Sequence, residues 1–279
     1  MATGTSDLFA LMWAPFLMCL VLTGIHAYLG IHVIAREVVF VDIALAQIAA
    51  LGGAAALLLD APINSPVAYA AGLGATFVGA AILALTRSPE RRVSQEAVIG
   101  VVYAVSAAAA VLLMDRAPHG AEQLRQMLVG SILAVTPSDV LRVAALYAAV
   151  GAFHWACRHP FLMISTNPDA AFRAGWRIRL WDFLFYASFG LVVTSSVRIA
   201  GVLLVFSYLI VPALAGIVLG GTVATRLWVG WTFGAIVSLL GVLASALLDL
   251  PTGATVACMF GMTILLWSGL ARPLRRRGY

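Results

Sequence analysis

The sequence predicts an all-α fold, a polytopic bundle of transmembrane helices that occupies residues 1–279 as a single domain. Two observations lead to this fold class. Hydrophobic residues make up 62% of the chain and charged residues 10%, and the mean hydropathy is +1.01, which is more apolar surface than a soluble core of this length can bury. The chain also contains no lysine, and its 17 arginines lie almost entirely between the apolar runs, as expected where helices cross hydrocarbon and charges stay at their ends.

Each predicted span is an apolar run close to the roughly 20 residues that a helix needs to cross a bilayer. The first run has no basic segment before it and no small-residue cleavage site after it, so we interpret it as a retained span rather than a signal peptide. Arg198 alone separates the sixth run from the seventh, so the sequence allows eight spans but favours nine. In chain order the runs are 8–30, 38–59, 66–86, 97–114, 139–157, 182–197, 200–219, 227–248 and 254–271.

The distribution of arginines orients the chain, because cytoplasmic connections are enriched in basic residues. If the N-terminus lies outside, thirteen of the 17 arginines fall on the cytoplasmic side. The other four lie outside: Arg116, Arg125, Arg142 and Arg198. We therefore expect a multi-pass protein of a bacterial cytoplasmic membrane, with its N-terminus outside and its C-terminus inside. This orientation requires an odd number of spans.

The residue inventory excludes several kinds of chemistry. A phosphate-binding P-loop and a Schiff base both need a lysine, and the chain has none. The net charge of +5 is spread over span ends rather than gathered on one face, which is not the pattern of a nucleic-acid-binding surface. The three cysteines lie far apart without Cys-x-x-Cys spacing, so we interpret them as packing residues. We expect neither enzymatic activity nor a bound cofactor.

The connection between the fifth and sixth runs has the sequence features of a short helix. Asn167 suits the N-cap, Pro168 the first helical position and Asp169 the positive end of the helix dipole. Gly175 suits the left-handed residue that follows a helix. These residues leave open whether the element is an ordinary loop helix or one with a partner. Because an isolated helix of about two turns is marginal in water, we expect it to pack against something.

Asp42 is the acidic residue that lies well inside a predicted span. An ionisable residue within the bilayer usually faces a pathway, and the alternative is a structural hydrogen bond to a neighbouring helix. Gln47 has the same two interpretations, because amides often bridge helices. A separation of five residues places the two side chains about 140° apart on a regular helix, so they are not an ideal chelating pair.

The remaining potential ligands are His26, His32, His119, Glu122, His154 and Cys157. The first two lie at the inner end of the first span, where we expect interfacial anchors. The next two lie in the outer connection, where an arriving metal would pass, although we favour a solvated loop with a capping glutamate. The last two are spaced to bind a soft metal, but no third ligand lies near them in the sequence.

Four stretches of the chain resemble one known family over residues 24–270. They are residues 36–53, which end in a small-residue cluster; QEAVIG at 95–100; GSILAV at 130–135; and the capped helix at 165–175 followed by RIAGVLLV at 198–205 and VPA at 211–213. In this order and spacing the chain is similar to the metal-ion permeases of ATP-binding-cassette importers, of the zinc, manganese and iron type.

This resemblance implies the permease subunit of an ATP-driven importer that moves a divalent transition-metal ion. Members of the family form homodimers and receive their metal from an extracytoplasmic binding protein. A cytoplasmic ATPase subunit, which would supply the missing P-loop lysine, docks on a short helix in the connection before span six. Carried over to this chain, the docking residues are Asn167, Pro168, Asp169, Phe172, Arg173 and Gly175.

The chain departs from the family in span two. The best-known branch carries Asp-x-x-x-His there, and the corresponding positions of this chain hold Ile43 and Gln47, with Asp42 one residue earlier. Asp42 and Gln47 are therefore the candidate metal-contacting residues. The alternative function is a gradient-coupled secondary transporter of a small cation. Such carriers usually bury several ionisable groups near the bilayer midplane.

Overall fold

The computed structural model describes residues 5–56, 60–62, 65–87, 93–115 and 120–275. All regular structure within these ranges is helical, which confirms the predicted fold class. Helices suit this sequence because in lipid each backbone polar group must be paired within its own segment.

The α-helices of the described ranges are α1 (Thr5–Ala35), α2 (Val41–Ala55), α3 (Pro66–Leu85), α4 (Gln95–Met114), α5 (Gly120–Val129), α6 (Pro137–Ala156), α7 (Arg158–Thr166), α8 (Pro168–Arg173), α9 (Ile178–Leu219), α10 (Val223–Leu248) and α11 (Thr252–Arg275). Side-chain caps fix several of the starts. Ser65 accepts a hydrogen bond from the third residue of α3, and Ser94 does the same for α4. Thr222 and Thr225 form a capping box at the start of α10.

Five of the described helices are long and apolar enough to cross a membrane: α1, α3, α4, α9 and α10. The pair formed by α6 and α7, bent by 74°, makes a sixth if it counts as one span. Val41–Ala55 and Thr252–Leu266 are apolar but fall in the range of 10–17 residues. The protein is thus a multi-pass membrane protein, and this criterion does not confirm the predicted count of eight or nine spans. Each of the nine apolar runs nevertheless overlaps one of these helices.

The sixth and seventh runs are joined in the single helix α9, which is interrupted at Gly201. The predicted boundary was Arg198, whereas the break comes three residues later, where φ is 77° and ψ is 159°. A left-handed backbone favours glycine over arginine. The backbone at Gly130 packs so closely against this break that a Cβ on Gly201 would lie 2.5 Å from the Gly130 nitrogen.

One compact unit takes in the described residues of His32–Gly130 and Val143–Val202. In it α2 packs against α3 and α4. Small residues let the backbones of α2 and α3 come into contact. A Cβ on Gly52 would lie 2.6 Å from the Ala71 carbonyl oxygen, and one on Gly72 would lie 2.9 Å from the Ala49 carbonyl oxygen.

The other unit takes in the described residues of Met1–Ile31, Ser131–Arg142 and Leu203–Tyr279. Its helices also meet at small residues and are joined by buried polar bonds. The Trp231 indole donates to the Gly24 carbonyl oxygen at 3.0 Å, and the hydroxyls of Tyr208 and Ser238 are 2.7 Å apart.

Candidate functional site

Helix α8 is capped at both ends by its own neighbours, as the sequence predicts. The Asn167 side chain accepts a hydrogen bond from the Ala170 nitrogen at 3.1 Å, and Pro168 occupies the first turn. At the other end Gly175 has φ +70°. Its N–H donates to the Phe172 carbonyl at 3.0 Å, while the next N–H, of Trp176, donates to the Ala171 carbonyl at 3.1 Å. This is the Schellman arrangement, which satisfies carbonyls that a helix end otherwise leaves open.

The inner face of α8 packs on a small apolar cluster. Ala171 is fully buried and lies with Ile164 of α7 and Ile178 of α9. Three larger side chains surround them: Met163, Trp176 and Trp181. The outer face presents Phe172, which is 37% exposed, and the exposed Arg173. Helix α8 is therefore held from one side and open on the other.

Next to this cluster, Asp182 joins the ends of several helices through buried ion pairs. Asp182 is fully buried in the first turns of α9, and its two carboxylate oxygens accept from Arg36 Nη1 at 2.8 Å and from Arg87 Nη1 at 2.6 Å. Arg36 follows α1 and Arg87 follows α3. Desolvation lowers the pKa of the buried Arg36 guanidinium, and the Asp182 carboxylate opposes that shift by raising it.

A second set of contacts ties α7 to the same point. The Arg36 Nε donates to Ser165 Oγ at 2.8 Å, and His32 Nδ1 lies 2.8 Å from the same oxygen. The Arg36 guanidinium also lies 3.9 Å from the centre of the Phe185 ring, a favourable cation–π distance. The base on which α8 rests is thus a network of charge-assisted bonds rather than apolar packing alone.

The sequence analysis did not identify this network. The arginines between the apolar runs served there to orient the chain, and none of them was paired with an acidic residue. A usable signal was present: an aspartate in the first turn of a span, opposite arginines that end other spans, predicts pairing because buried charges need partners.

Asp42 lies at the end of a helix rather than well inside a span, which corrects the sequence interpretation. Helix α2 begins at Val41, so Asp42 is in its first turn. The chain reaches α2 through a tight turn in which Glu37 has φ 57° and the Val38 nitrogen donates to the Val33 carbonyl. The first residues of the predicted apolar run at 38–59 therefore belong to this turn and not to the helix.

Asp42 and Gln47 are not brought together within one chain. Asp42 is 2% exposed, and its Oδ1 has no hydrogen-bond partner among the described residues. Helix α2 is regular throughout, so Gln47 faces another direction, in a half-buried stripe with Ile43 and Leu51. Glu96 lies close enough to interact electrostatically with Asp42, and its Oε1 accepts from the Phe40 nitrogen at 3.1 Å.

Three histidines of the helices, His26, His32 and His154, are buried in the protein interior. His26 is fully buried, with Nδ1 2.8 Å from the Leu22 carbonyl oxygen, and His32 is 1% exposed. The prediction that these two are interfacial anchors is therefore wrong, because protein rather than headgroups surrounds them. His154 is also buried, with Nε2 2.8 Å from Ser188 Oγ and its ring stacked on Phe161.

In the outer connection, Glu122 is exposed and lies 3.5 Å from Arg125, while His119 lies outside the described residues. Across the described part of the chain, no group of three or more histidine, cysteine, aspartate or glutamate side chains is arranged to hold a metal ion.

These features define a class of protein: a multi-pass helical membrane protein whose short, exposed helix α8 is backed by a network of buried ion pairs. The model of the ABC 3 transport family matches residues 8–270, so the chain belongs to that family and is a permease of a metal-transporting ATP-binding-cassette importer. ATP hydrolysis in such a system belongs to a separate ATPase subunit.

Similar proteins are named as metal transport components. The chain is 22% identical over 233 residues to a "Probable metal transport system membrane protein" of Chlamydia trachomatis, covering 84% of this chain and 80% of that protein. It is 26% identical over 190 residues to the "Manganese transport system membrane protein MntC" of Listeria innocua, covering 64% of this chain and 66% of that protein.

The fold also resembles that of a solved structure. A chain of "PsaBC from Streptococcus pneumoniae in complex with Fab" superimposes with a TM-score of 0.74 and 20% sequence identity, over 92% of this chain and 91% of that chain. At this level of identity the likeness establishes the fold.

Proposed function

We propose that this chain is the permease subunit of an importer that moves zinc, manganese or iron into a bacterial cytoplasm. Two copies would form the pathway as one permease domain each over residues 1–279, an ATPase subunit would dock on α8, and an extracytoplasmic binding protein would deliver the metal. Manganese is the first ion to test, because the Listeria innocua relative carries manganese in its name.

The observation that carries this proposal is the construction of α8. Its six residues are capped at both ends, its inner face is fixed by a buried alanine, and its outer face exposes Phe172 and Arg173. A short helix without such support would be marginal in water. A helix that is rigidly backed and open outward is suited to receive force from a docked ATPase and to pass it to α7 and α9. The docking residues are those predicted: Asn167, Pro168, Asp169, Phe172, Arg173 and Gly175.

The metal pathway is proposed to run along the half-buried stripe of α2 at Ile43, Gln47 and Leu51. This stripe is the side of α2 that is left partly open within the chain, so a second copy is suited to complete it. Asp42 would act from behind the stripe as a buried carboxyl group that favours a cation, since one of its oxygens lacks a partner among the described residues. Gln47 would supply a neutral amide oxygen to the passing ion.

Cysteine labelling tests the pathway. In a background with the native cysteines replaced by serine, Gln47→Cys should react with a membrane-impermeant thiol reagent, and the transported metal should slow that reaction. Ile48→Cys is the matched control, because Ile48 is 7% exposed. Equal rates at the two positions would remove Gln47 from the pathway.

The orientation proposed is N-terminus outside and C-terminus inside with nine spans, counting α2, each part of α9 and α11 as separate spans. Support comes from the compact unit of residues 32–130 and 143–202. There the arginines that follow α1 and α3 pair with Asp182 at the start of α9, on the side where arginines are abundant. Reporter fusions after Pro62 and Pro251 should read as extracytoplasmic, and a fusion after Gly175 as cytoplasmic. A periplasmic signal after Gly175 would place α8 beyond reach of an ATPase.

Reconstitution tests the function as a whole. The chain should co-purify with its ATPase subunit. Proteoliposomes of the complex should accumulate a divalent transition metal in an ATP-dependent manner, and inhibition of that uptake by other metals measures the selectivity. Uptake driven by an ion gradient without ATPase would instead favour a secondary transporter.

A further inference from the structure

A cavity of about 470 Å³ lies beside α8 in the unit that contains Asp182. Its walls are the ends of helices: the residues that follow α1 and α3, the first turn of α4, the end of α7 and the start of α8. Arg36, Arg87 and Tyr186 are among the lining residues. The two arginines that hold Asp182 therefore also border open space.

Two buried polar atoms on residues of this wall lack a hydrogen-bond partner among the described residues. They are Nη2 of Arg36 and the hydroxyl of Tyr186. The Arg36 side chain is 1% exposed, and Tyr186 is fully buried. An unpaired buried polar group is costly, so such groups usually have an unseen partner. Both atoms carry a hydrogen, and a ligand that satisfies both must be an acceptor.

The charge of the cavity floor selects an anion. Arg36 and Arg87 bring two positive charges, and Asp182 offsets one of them. Glu37 and Asp169 also line the cavity, but both are exposed at its rim, where water and salt screen them. Among the largely buried charged side chains that line the cavity or pair at its floor, there are thus two arginines and one carboxylate.

The first turn of α4 adds to this preference. Ser94 and Gln95 line the cavity at the N-terminus of a 20-residue helix, where the helix dipole and free backbone N–H groups favour anions. Glu96 is in the same turn, but its Oε1 is bonded to the Phe40 nitrogen on the α2 side. The N-terminus of α4, Arg36 and Tyr186 thus all contribute to the lining of one cavity.

We propose that this cavity binds a phosphate-type oxyanion, from either an anionic lipid headgroup or free phosphate. A tetrahedral phosphate offers several acceptor oxygens, and the planar guanidinium matches two of them. Val93 and Phe172 line the same cavity and are 62% and 37% exposed, which gives apolar surface next to the anion. Pockets of this kind between transmembrane helices bind anionic headgroups. Such an anion would brace α8 from the side, independently of the metal and of the ATPase.

The test uses the purified full-length chain in lipid nanodiscs. One set of discs contains phosphatidylcholine, a second contains phosphatidylcholine with phosphatidylglycerol, and a third contains phosphatidylcholine with added inorganic phosphate. Thermal unfolding reports stabilisation, and native mass spectrometry counts retained phosphatidylglycerol. Tyr186→Phe, which keeps the ring and the ion pairs, should weaken binding about fivefold, and Arg87→Gln about tenfold or more. Arg179→Gln, at an exposed arginine outside the cavity, is the matched control.

The outcomes separate the two sources. Stabilisation by phosphatidylglycerol with one retained lipid per chain, weakened by both cavity variants and unchanged in the control, supports a lipid headgroup. Stabilisation by inorganic phosphate in phosphatidylcholine discs, with the same dependence on the variants, supports free phosphate. Neither effect in the wild-type chain, or an equal lipid effect in all variants, overturns the proposal. If the isolated chain binds neither anion and Tyr186→Phe instead weakens ATPase co-purification, the proposal is overturned and the cavity belongs to the ATPase contact.

Discussion

Helices α8 and α2 satisfy their polar groups in opposite ways. The six residues of α8 are closed by Asn167 at one end and by the backbone bonds of Gly175 and Trp176 at the other. The fifteen residues of α2 begin at Val41, after the N-cap residue Phe40, which makes no side-chain cap bond. The first turn holds a buried carboxylate oxygen that lacks a partner among the described residues. The shorter helix is locally complete, whereas the longer one is left with an unmet polar group.

This difference matches the roles proposed for the two helices. A locally complete helix can dock or shift as a unit, because no orphan group is exposed when its surroundings change. An unpaired buried group instead calls for a partner from outside the fold, such as an ion or a second copy of the chain. The mechanical role therefore suits α8 and the transport role suits α2.

The base beneath α8 should give the largest effect on stability. Asp182→Ala leaves Arg36 and Arg87 as buried cations without their counter-ion, and removing one partner of a buried pair costs about 3–5 kcal/mol. Unfolding in detergent should show this loss. Asp115→Ala, at an exposed aspartate that follows α4, should change stability little. A loss for Asp182→Ala no greater than for the control would mean that the network does not stabilise the fold.

The next largest effect is expected within α8 itself. Ala171→Pro removes the N–H that donates to the Asn167 carbonyl and costs on the order of 3 kcal/mol of helix stability. A six-residue helix cannot absorb that cost, so the variant should reach the membrane but lose ATPase co-purification. Ala224→Pro in the first turn of α10, where proline is tolerated, is the control. Retention of the ATPase with coupled hydrolysis by Ala171→Pro would contradict the docking assignment.

Helix α2 provides the opposite test, in which stability is kept and transport is lost. Asp42→Ala should reduce metal uptake by about tenfold or more, equivalent to roughly 1.4 kcal/mol, while membrane insertion is intact because a buried charge has been removed. Asp42→Asn keeps the shape and should behave in the same way if charge is what matters. Asp249→Asn, at an exposed position, serves as control. Normal uptake by both Asp42 variants at limiting metal would refute the role.

The sequence predicted helix α8 but not the ion-pair network beneath it, for a physical reason. The caps of α8 involve residues within a few positions of one another, so Asn167, Pro168 and Gly175 were enough to predict it. The network at Asp182 joins positions 36, 87 and 182, and no local pattern encodes such a pairing. The fold class followed from composition, while the number of spans did not, because length cannot separate the two parts of α9 or classify the short α2.

The smallest effect tests the completeness of α8 most selectively. Asn167→Ala removes one side-chain bond, to the Ala170 nitrogen, and should cost about 1 kcal/mol of helix stability. If the ATPase binds the formed helix, its affinity for the permease should fall by about fivefold, and Asn167→Asp, an equally good cap, should restore it. Ser65→Ala removes the same kind of cap from α3, where Ser65 Oγ accepts from the Ala68 nitrogen, and should leave ATPase affinity unchanged. If Asn167→Asp fails to restore the affinity, the asparagine contacts the ATPase directly, and the affinity does not depend on the N-cap of α8. If Ser65→Ala lowers the affinity equally, the loss reflects general destabilisation. The contrast between α8 and α2 would then no longer support a mechanical role for α8 and a transport role for α2.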